Sequence, residues 1–353
     1  MKTITCFVLL LLSFMAHAQS SRALADSLRK AYHIPALGYA VVSSDSILEL
    51  QLLGEKKAGM PISGNDHFRI GSNTKAVTTM IAALLVKQQL ISWDTRFFQL
   101  FPELQPHSHR AYANITLWQA ITFRNKLPKY SYTNSAPTPA QIKGSEAAQR
   151  YAFVKWLLQQ PPVTDTTEIN LTNAGYCLAG LMLEKAAHKS YTQLVTELGQ
   201  QLHIQFGTGN PNDRDSTQTW GHDANGQPEG PANNYKLNWL MAAGNLHISL
   251  PDYARFIQEQ LKGLAGKSTL LDANTYARLH YGMPVFAAGW FWQRNAAGHL
   301  VSENTGNPGT FITQVWVIPE ADRAYIFFTN LQRDNVYEAI TALREALEKQ
   351  YGN

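Results

Sequence analysis

Phe68-Arg69-Ile70-Gly71-Ser72-Asn73-Thr74-Lys75-Ala76-Val77-Thr78 opens a helical pattern that carries Val77, Ile81, Leu84 and Leu85 on one face. Ser72 therefore falls at or near the start of a buried helix. A serine and a lysine three residues apart on a helix project from the same face and can reach each other. A serine hydroxyl is a weak nucleophile until a neighbouring base takes its proton, and a buried lysine can be that base because desolvation lowers its pKa. The positive end of the helix dipole at Ser72 also favours negative charge developing on attack. Taken alone, Ser-x-x-Lys more often describes a capping serine and an exposed lysine, so the surrounding sequence has to decide.

On the N-terminal side, two strand-like runs, 36–42 and 47–53, flank a polar turn at Ser43-Ser44-Asp45-Ser46. From about 92 to 266 the pattern is mostly helix and loop. The segment 146–160 is amphipathic and is stopped by Pro161-Pro162, and 174–188 is a second helix, strongly apolar on one side. Ser249 reads as the cap of a helix whose buried stripe is Tyr253, Phe256, Ile257 and Leu261. The stretch 206–234 is dense in Gly, Pro, Asn and Asp and reads as loop. Strand signals return at 311–318 and 323–329 around Pro319-Glu320-Ala321-Asp322, and an amphipathic helix over 336–351 closes the chain. Strands at both ends with helices between predict an α+β fold, with one antiparallel sheet built from both termini and flanked by helices. A mostly helical lobe, roughly 92–266, is inserted, and a cleft is expected between the two.

Lys2 precedes the apolar run Phe7-Val8-Leu9-Leu10-Leu11-Leu12, and Ala16-His17-Ala18 follows. This is the pattern of a secretory signal peptide over 1–18 with a small-x-small cleavage site, so the expected location is periplasmic or secreted. The run is shorter than the roughly 20 residues a spanning helix needs, and no later stretch is long enough either. Cys6 leaves with the signal, so Cys177 remains as the single cysteine and the mature domain, 19–353, must rely on its core rather than an internal disulfide. The formal net charge is +4, with no basic run or stripe, which argues against a nucleic-acid partner.

The 68–78 stretch strongly resembles the nucleophile segment of the serine β-lactamase and penicillin-binding-protein (DD-peptidase) superfamily, especially its class C and esterase-like branch. Leu90-Ile91-Ser92-Trp93-Asp94, Asn173-Ala174-Gly175-Tyr176, Ala242-Ala243-Gly244-Asn245 and Asn304-Thr305-Gly306 resemble further segments of that superfamily in the same order. The resemblance covers nearly the whole mature chain and implies the same sheet-plus-helical-lobe fold. It also implies that Ser72 and Lys75 are catalytic and that Asn173, Asn304, Thr305 and Gly306 contact the substrate. Thr305 and Gly306 suit a strand edge that accepts substrate backbone, with an amide there joining the Ser72 N–H in an oxyanion hole.

Three segments depart from the superfamily. Where it places Tyr-x-Asn, this chain reads Leu171-Thr172-Asn173, and leucine has no proton to relay. Asn173 can orient Lys75 or bind a substrate amide, or simply cap the helix after it. Tyr176 is expected to pack rather than to replace the missing tyrosine. Asn304 stands where relatives carry Lys or His, so a substrate carboxylate loses a cation there, unless Arg124 or another cation compensates. Ile121-Thr122-Phe123-Arg124-Asn125-Lys126-Leu127-Pro128 replaces a Thr-His-Thr-Ser-Gly-like turn, and a polar insertion runs on through Pro139, so the cleft entrance should be reshaped.

His107-Ser108-His109 lies in a Pro-rich loop with no carboxylate or cysteine set and reads as surface, not a metal site. Trp290-Phe291-Trp292 and Trp316 read as core and cleft wall. The function expected is an exported serine hydrolase acting through an acyl-enzyme on an ester or amide, esterase-like, with weak β-lactamase or DD-peptidase activity and no metal or organic cofactor. Its partner would be a small-molecule or peptide substrate, including a peptidoglycan-derived one. Loss of the tyrosine keeps open an alternative, a catalytically impaired member that binds peptidoglycan fragments or a protein through the old cleft.

Overall fold

The computed structural model describes residues 20–164, 169–231 and 235–352. The expected signal peptide, 1–18, lies outside them. A helix over 20–31 (α1) precedes the strands Ala36–Val42 (β1), Ile47–Lys57 (β2), Met60–Pro61 (β3) and His67–Arg69 (β4). Thr74–Lys87 (α2), Glu146–Leu157 (α3), Ala174–Ala187 (α4) and Tyr191–Leu202 (α5) follow, then Phe206–Thr208 (β5), Leu246–Ser249 (β6), Leu250–Leu264 (α6) and Ala273–Tyr281 (α7). The C-terminal part contains Phe291–Arg294 (β7), Leu300–Gly306 (β8), Ile312–Ile318 (β9), Arg323–Thr329 (β10) and Asn335–Tyr351 (α8).

All seven residues of β1 are buried, which requires cover on both faces of the sheet. Successive strand side chains point to opposite faces. Accordingly Leu37, Tyr39 and Val41 pack with the C-terminal helix residues Val336, Ile340, Leu343 and Leu347. Ala36, Ala40 and Val42 face the larger core that includes α2 and α6. The sheet runs β3-β2-β1-β10-β9-β8-β7 and is antiparallel throughout, so β1 pairs directly with β10 and the two ends of the chain share one sheet as expected.

α6 shows how sequence produces a packed element. Ser249 Oγ accepts from the Asp252 N–H, Pro251 sits in the first turn, and Tyr253, Phe256, Ile257 and Leu261 are buried. Burial of each such side chain contributes about 1.5–3 kcal/mol. Phe256→Ala is therefore the single change expected to undo most of this packing.

The region read as loop over 206–234 contains a correction. Phe206–Thr208 is a strand, β5, and it completes a second sheet in the order β4-β6-β5. Strands of three and four residues are too short to display an alternation in sequence. Their effect is large even so, because pairing Phe68 with Ile248 fixes the chain that leads into Ser72.

Candidate active site

Ser72 does not sit inside the regular helix but in a short 3-10 turn, Gly71–Asn73, that runs straight into α2. Two glycines allow this turn to press against β8. Gly71 has φ +48°, and a Cβ on it would lie 2.7 Å from the Asn307 nitrogen. A Cβ on Gly306 would lie 1.9 Å from the Ile70 carbonyl oxygen, so the two backbones meet with no room for side chains. Asn73, fully buried, ties the same turn to β9 by donating to Thr313 Oγ1 at 2.8 Å.

Lys75 follows one helical turn on, and α2 is buried there on nearly every side. Its ammonium nitrogen donates to Ser72 Oγ, Asn173 Oδ1 and the Ala243 carbonyl, each at 2.8 Å. The Asn173 amide is held in that sense because its Nδ2 donates to the Tyr130 carbonyl at 3.1 Å. Both carbonyl partners can only accept. They claim two of the nitrogen's N–H bonds whether Lys75 is charged or neutral, which leaves its third tetrahedral position pointing at Ser72 Oγ. In the neutral amine that position is the lone pair, and the Ser72 hydroxyl can donate to it. Burial lowers the Lys75 pKa from 10.5 to about 7, bringing the neutral form within reach near neutral pH.

Asn173 thus takes the orienting role and makes no side-chain capping bond to its helix. Tyr176 packs as expected: it is fully buried and its hydroxyl donates to the Ile121 carbonyl at 2.8 Å. Cys177 is buried, its thiol pushed up to about 12 by burial, and it donates to the Asn173 carbonyl.

Asn304 spends its amide on the scaffold. Its Nδ2 donates to the Ser72 carbonyl at 3.1 Å and the Gly289 carbonyl at 2.7 Å, binding β8 to the nucleophile turn. β7 pairs only with Leu300 to Glu303 of β8, so Asn304, Thr305 and Gly306 continue past its end with an edge that neither β7 nor β9 covers. The Thr305 hydroxyl accepts from Gln314 at 3.0 Å.

Ser72, Lys75, Asn173, Asn304 and Thr305 line one cavity of about 240 Å³, together with Phe123, Tyr130, Ser131, Leu171, Thr172, Phe286 and Phe291, whereas Gly306 is not part of that lining and packs against Ile70. Leu171 is 47% exposed at its wall. Arg124 does not offer a compensating cation. Its guanidinium donates to the carbonyls of Thr122, Phe286 and Pro284, so it clamps the cleft wall instead of facing a ligand. Phe123 from the 121–128 turn, and Tyr130 and Ser131 from the polar segment that runs on through Pro139, belong to the lining. Of the aromatic cluster, Phe291 reaches the cavity, whereas Trp290 is core, stacked on His280, and Trp316 packs beside Phe327 and Arg344.

Sequence reading missed the Ala243 and Tyr130 carbonyls, since a backbone acceptor has no residue-type signature. It also missed Phe286, which lies in a loop with no motif. His107 and His109 are exposed, and His109 Nδ1 accepts from the Ala111 N–H. Among the described residues no group of three or more His, Cys, Asp or Glu could hold a metal ion, and no helix is long and apolar enough to cross a membrane.

A sheet built from both terminal regions, a helical region against it and a Ser-x-x-Lys pair in the cleft define the fold of the serine β-lactamase and penicillin-binding-protein superfamily. The family model described as Beta-lactamase matches residues 22–350, and the chain belongs to that family. Solved structures similar to it include the octameric penicillin-binding protein homologue from Pyrococcus abyssi, with TM-score 0.75 and 16% identity over 93% of this chain and 77% of that one. A class C beta lactamase from Rhodobacter sphaeroides has TM-score 0.74 and 15% identity over 94% and 98% of the two chains. D-alanine carboxypeptidase AmpC from Burkholderia cenocepacia has TM-score 0.72 and 18% identity over 95% and 99%. No curated protein matches the chain significantly.

Proposed function

We propose that this protein is an exported serine hydrolase that cleaves neutral esters through an acyl-enzyme on Ser72. The observation that supports it is the trigonal grip on Lys75, in which Asn173 Oδ1 and the Ala243 carbonyl direct the remaining position of the nitrogen at Ser72 Oγ. In the first half-reaction the Ser72 hydroxyl passes its proton to neutral Lys75 as Oγ bonds to the substrate carbonyl carbon. The Ser72 N–H, in a first helical turn and so without an intrahelical acceptor, stabilises the oxyanion. Collapse breaks the carbon–oxygen bond to the leaving alcohol, and Lys75 returns the proton to it. Water then attacks the acyl-enzyme, giving its proton to Lys75, and Ser72 leaves with that proton as the acid is released.

With Leu171 in place of a proton-relaying tyrosine, Lys75 alone must serve as both base and acid. That suits esters, whose alkoxide or phenoxide leaves with little help, better than amides or D-Ala-D-Ala peptides, whose amine must be protonated to leave. The signal-like N-terminus supports a periplasmic or secreted location. Labelling with a fluorophosphonate followed by mass spectrometry tests the reading. Modification of the Ser72 peptide in the native protein, absent in Ser72→Ala, is expected. Failure of the native protein to react with any serine probe or p-nitrophenyl ester would overturn it in favour of a ligand-binding protein without turnover.

A further inference from the structure

The lining of the cavity at Ser72 falls into two chemical classes. Ser72, Lys75, Ser131, Thr172, Asn173, Asn304 and Thr305 make the polar part, Phe123, Leu171, Phe286 and Phe291 make an apolar part, and Tyr130 has a face of each kind. Phe123 and Phe286 stack with centroids 4.4 Å apart and planes at 28°, and Phe291 meets Phe286 edge-on at 4.8 Å. This cluster joins a ring from the 121–128 turn to two from the loop and strand around β7. Phe123 and Phe286 show little surface, at 4% and 1% exposed, so the apolar surface that meets solvent in the cavity comes from half-buried Phe291 and from Leu171, 47% exposed. Apolar side chains left in water at the wall of a cavity are informative in a way that scattered exposed leucines are not.

Charge points the same way. Lys75 is the only charged side chain among the described residues that line the cavity, and its nitrogen is engaged by Ser72, Asn173 and Ala243. Arg124 is turned onto three backbone carbonyls, two of them in the 284–286 segment that presents Phe286. A ligand carboxylate entering here would give up hydration without finding a spare guanidinium or ammonium. A hydrocarbon group gains by burial. At about 240 Å³ the cavity is also smaller than the roughly 300–1,000 Å³ of sites for drug-sized ligands, which restricts the occupant to a short chain or a single ring.

We infer that Phe123, Phe286, Phe291 and Leu171 form a subsite for the short apolar acyl chain of a neutral ester, an assignment that rests on the ester-hydrolase reading above. Arg124 is a positioning residue for this subsite: it holds the wall that carries Phe286 and touches no substrate atom.

Binding and turnover are measured separately so that the two readings can fail independently. Ser72→Ala protein is titrated with N-phenylacetamide, N-phenylbutanamide and N-phenylsuccinamic acid, the last adding a carboxylate to the end of the acyl chain. Each methylene buried is worth about fourfold, so N-phenylbutanamide should bind ~15-fold more tightly than N-phenylacetamide. N-phenylsuccinamic acid should lose that gain. In the same background Leu171→Asp should cut the preference for the longer chain at least threefold, and Leu171→Met should keep it; Leu171 is exposed enough that neither change threatens folding. Equal affinities for the two neutral amides, tighter binding of the acid, no binding of N-phenylbutanamide at millimolar concentration, or indifference to Leu171→Asp would each overturn the subsite. In the turnover arm, native protein should hydrolyse p-nitrophenyl butyrate in preference to the acetate. If the amides bind as expected and neither ester is cleaved, the hydrolase reading falls and the apolar subsite stands.

Discussion

Asn173→Asp puts a carboxylate where a neutral amide now accepts a hydrogen bond from Lys75 at 2.8 Å. The two side chains have the same shape, so the change is chiefly one of charge. At that separation and an effective dielectric of about 20, Coulomb attraction between a carboxylate and the ammonium is roughly 6 kcal/mol. Partial exposure of residue 173 and desolvation of the new carboxylate offset more than half of it, leaving an upward shift of roughly two units in the Lys75 pKa. The sign follows from the role: only the neutral amine is a base, so activity rises with pH through the Lys75 pKa. Native enzyme should therefore show kcat/KM for p-nitrophenyl butyrate rising through a midpoint of about 7. In Asn173→Asp the midpoint should move to roughly 9, which lowers the neutral fraction at pH 7 from about half to about one part in a hundred. A loss of about 50-fold at pH 7 should then be recovered as pH rises. The substitution also removes the N–H donor to the Tyr130 carbonyl, so Asn173→Ala serves as the control. It removes both bonds without adding charge, and should depress the plateau while leaving the midpoint far below that of Asn173→Asp. A midpoint for Asn173→Asp equal to the native one would refute the claim that Lys75 is the titrating base.

Lys75→Arg should keep the charge and abolish turnover, because a guanidinium does not deprotonate in this range; native-like kcat in a steady-state ester assay would contradict the role. Nitrocefin and a D-Ala-D-Ala peptide should be turned over far less efficiently than p-nitrophenyl butyrate, and side-by-side kcat/KM values check this, efficient nitrocefin cleavage with negligible ester cleavage being the opposing result. Arg124→Met removes three charge-assisted bonds to backbone carbonyls and should cost about 2–4 kcal/mol in denaturant unfolding. Gly71→Ala should lower both stability and the rate of Ser72 labelling by a serine probe, since its Cβ would meet the backbone of residues 306 and 307.

The fold was readable because its signals are long. The apolar runs over 36–42 and 323–329 correspond to β1 and β10, which are buried almost throughout, and the stripe Tyr253, Phe256, Ile257 and Leu261 is buried on α6. The second sheet was hidden, its strands being too short to alternate. The site was half legible for a different reason. Ser72 and Lys75 are brought together as their spacing suggested and Asn173 joins them as the family resemblance implied, yet the partners that determine what Lys75 can do include the carbonyls of Ala243 and Tyr130. Any residue type could supply those oxygens, so only the path of the chain reveals them. Arg124 misled for a similar reason: its charge is visible in sequence, whereas the three carbonyls that absorb it are not.

Leu171 and Asn304, which look like separate losses in the sequence, have one consequence at the cavity. Leucine exchanges a proton relay for apolar surface, and asparagine exchanges a cation for an uncharged bridge that fixes the Ser72 carbonyl to Gly289. Each change alone would leave a mismatched site, with either a cation facing a greasy wall or a tyrosine beside a cleft that cannot hold a carboxylate. Together, and with Arg124 turned onto backbone carbonyls, they leave Lys75 as the one charged side chain among the described residues that line the cavity. A site of this kind discriminates by what it refuses: a carboxylate finds no counter-ion to offset its dehydration, while an uncharged acyl chain has none to lose. The preference for neutral esters that we propose therefore rests on both positions jointly. Asn304→Lys restores a cation but removes the amide that bridges the Ser72 and Gly289 carbonyls, so tighter binding of N-phenylsuccinamic acid accompanied by slower Ser72 acylation is the expected pair of results, and unchanged acid binding would count against the role given to position 304.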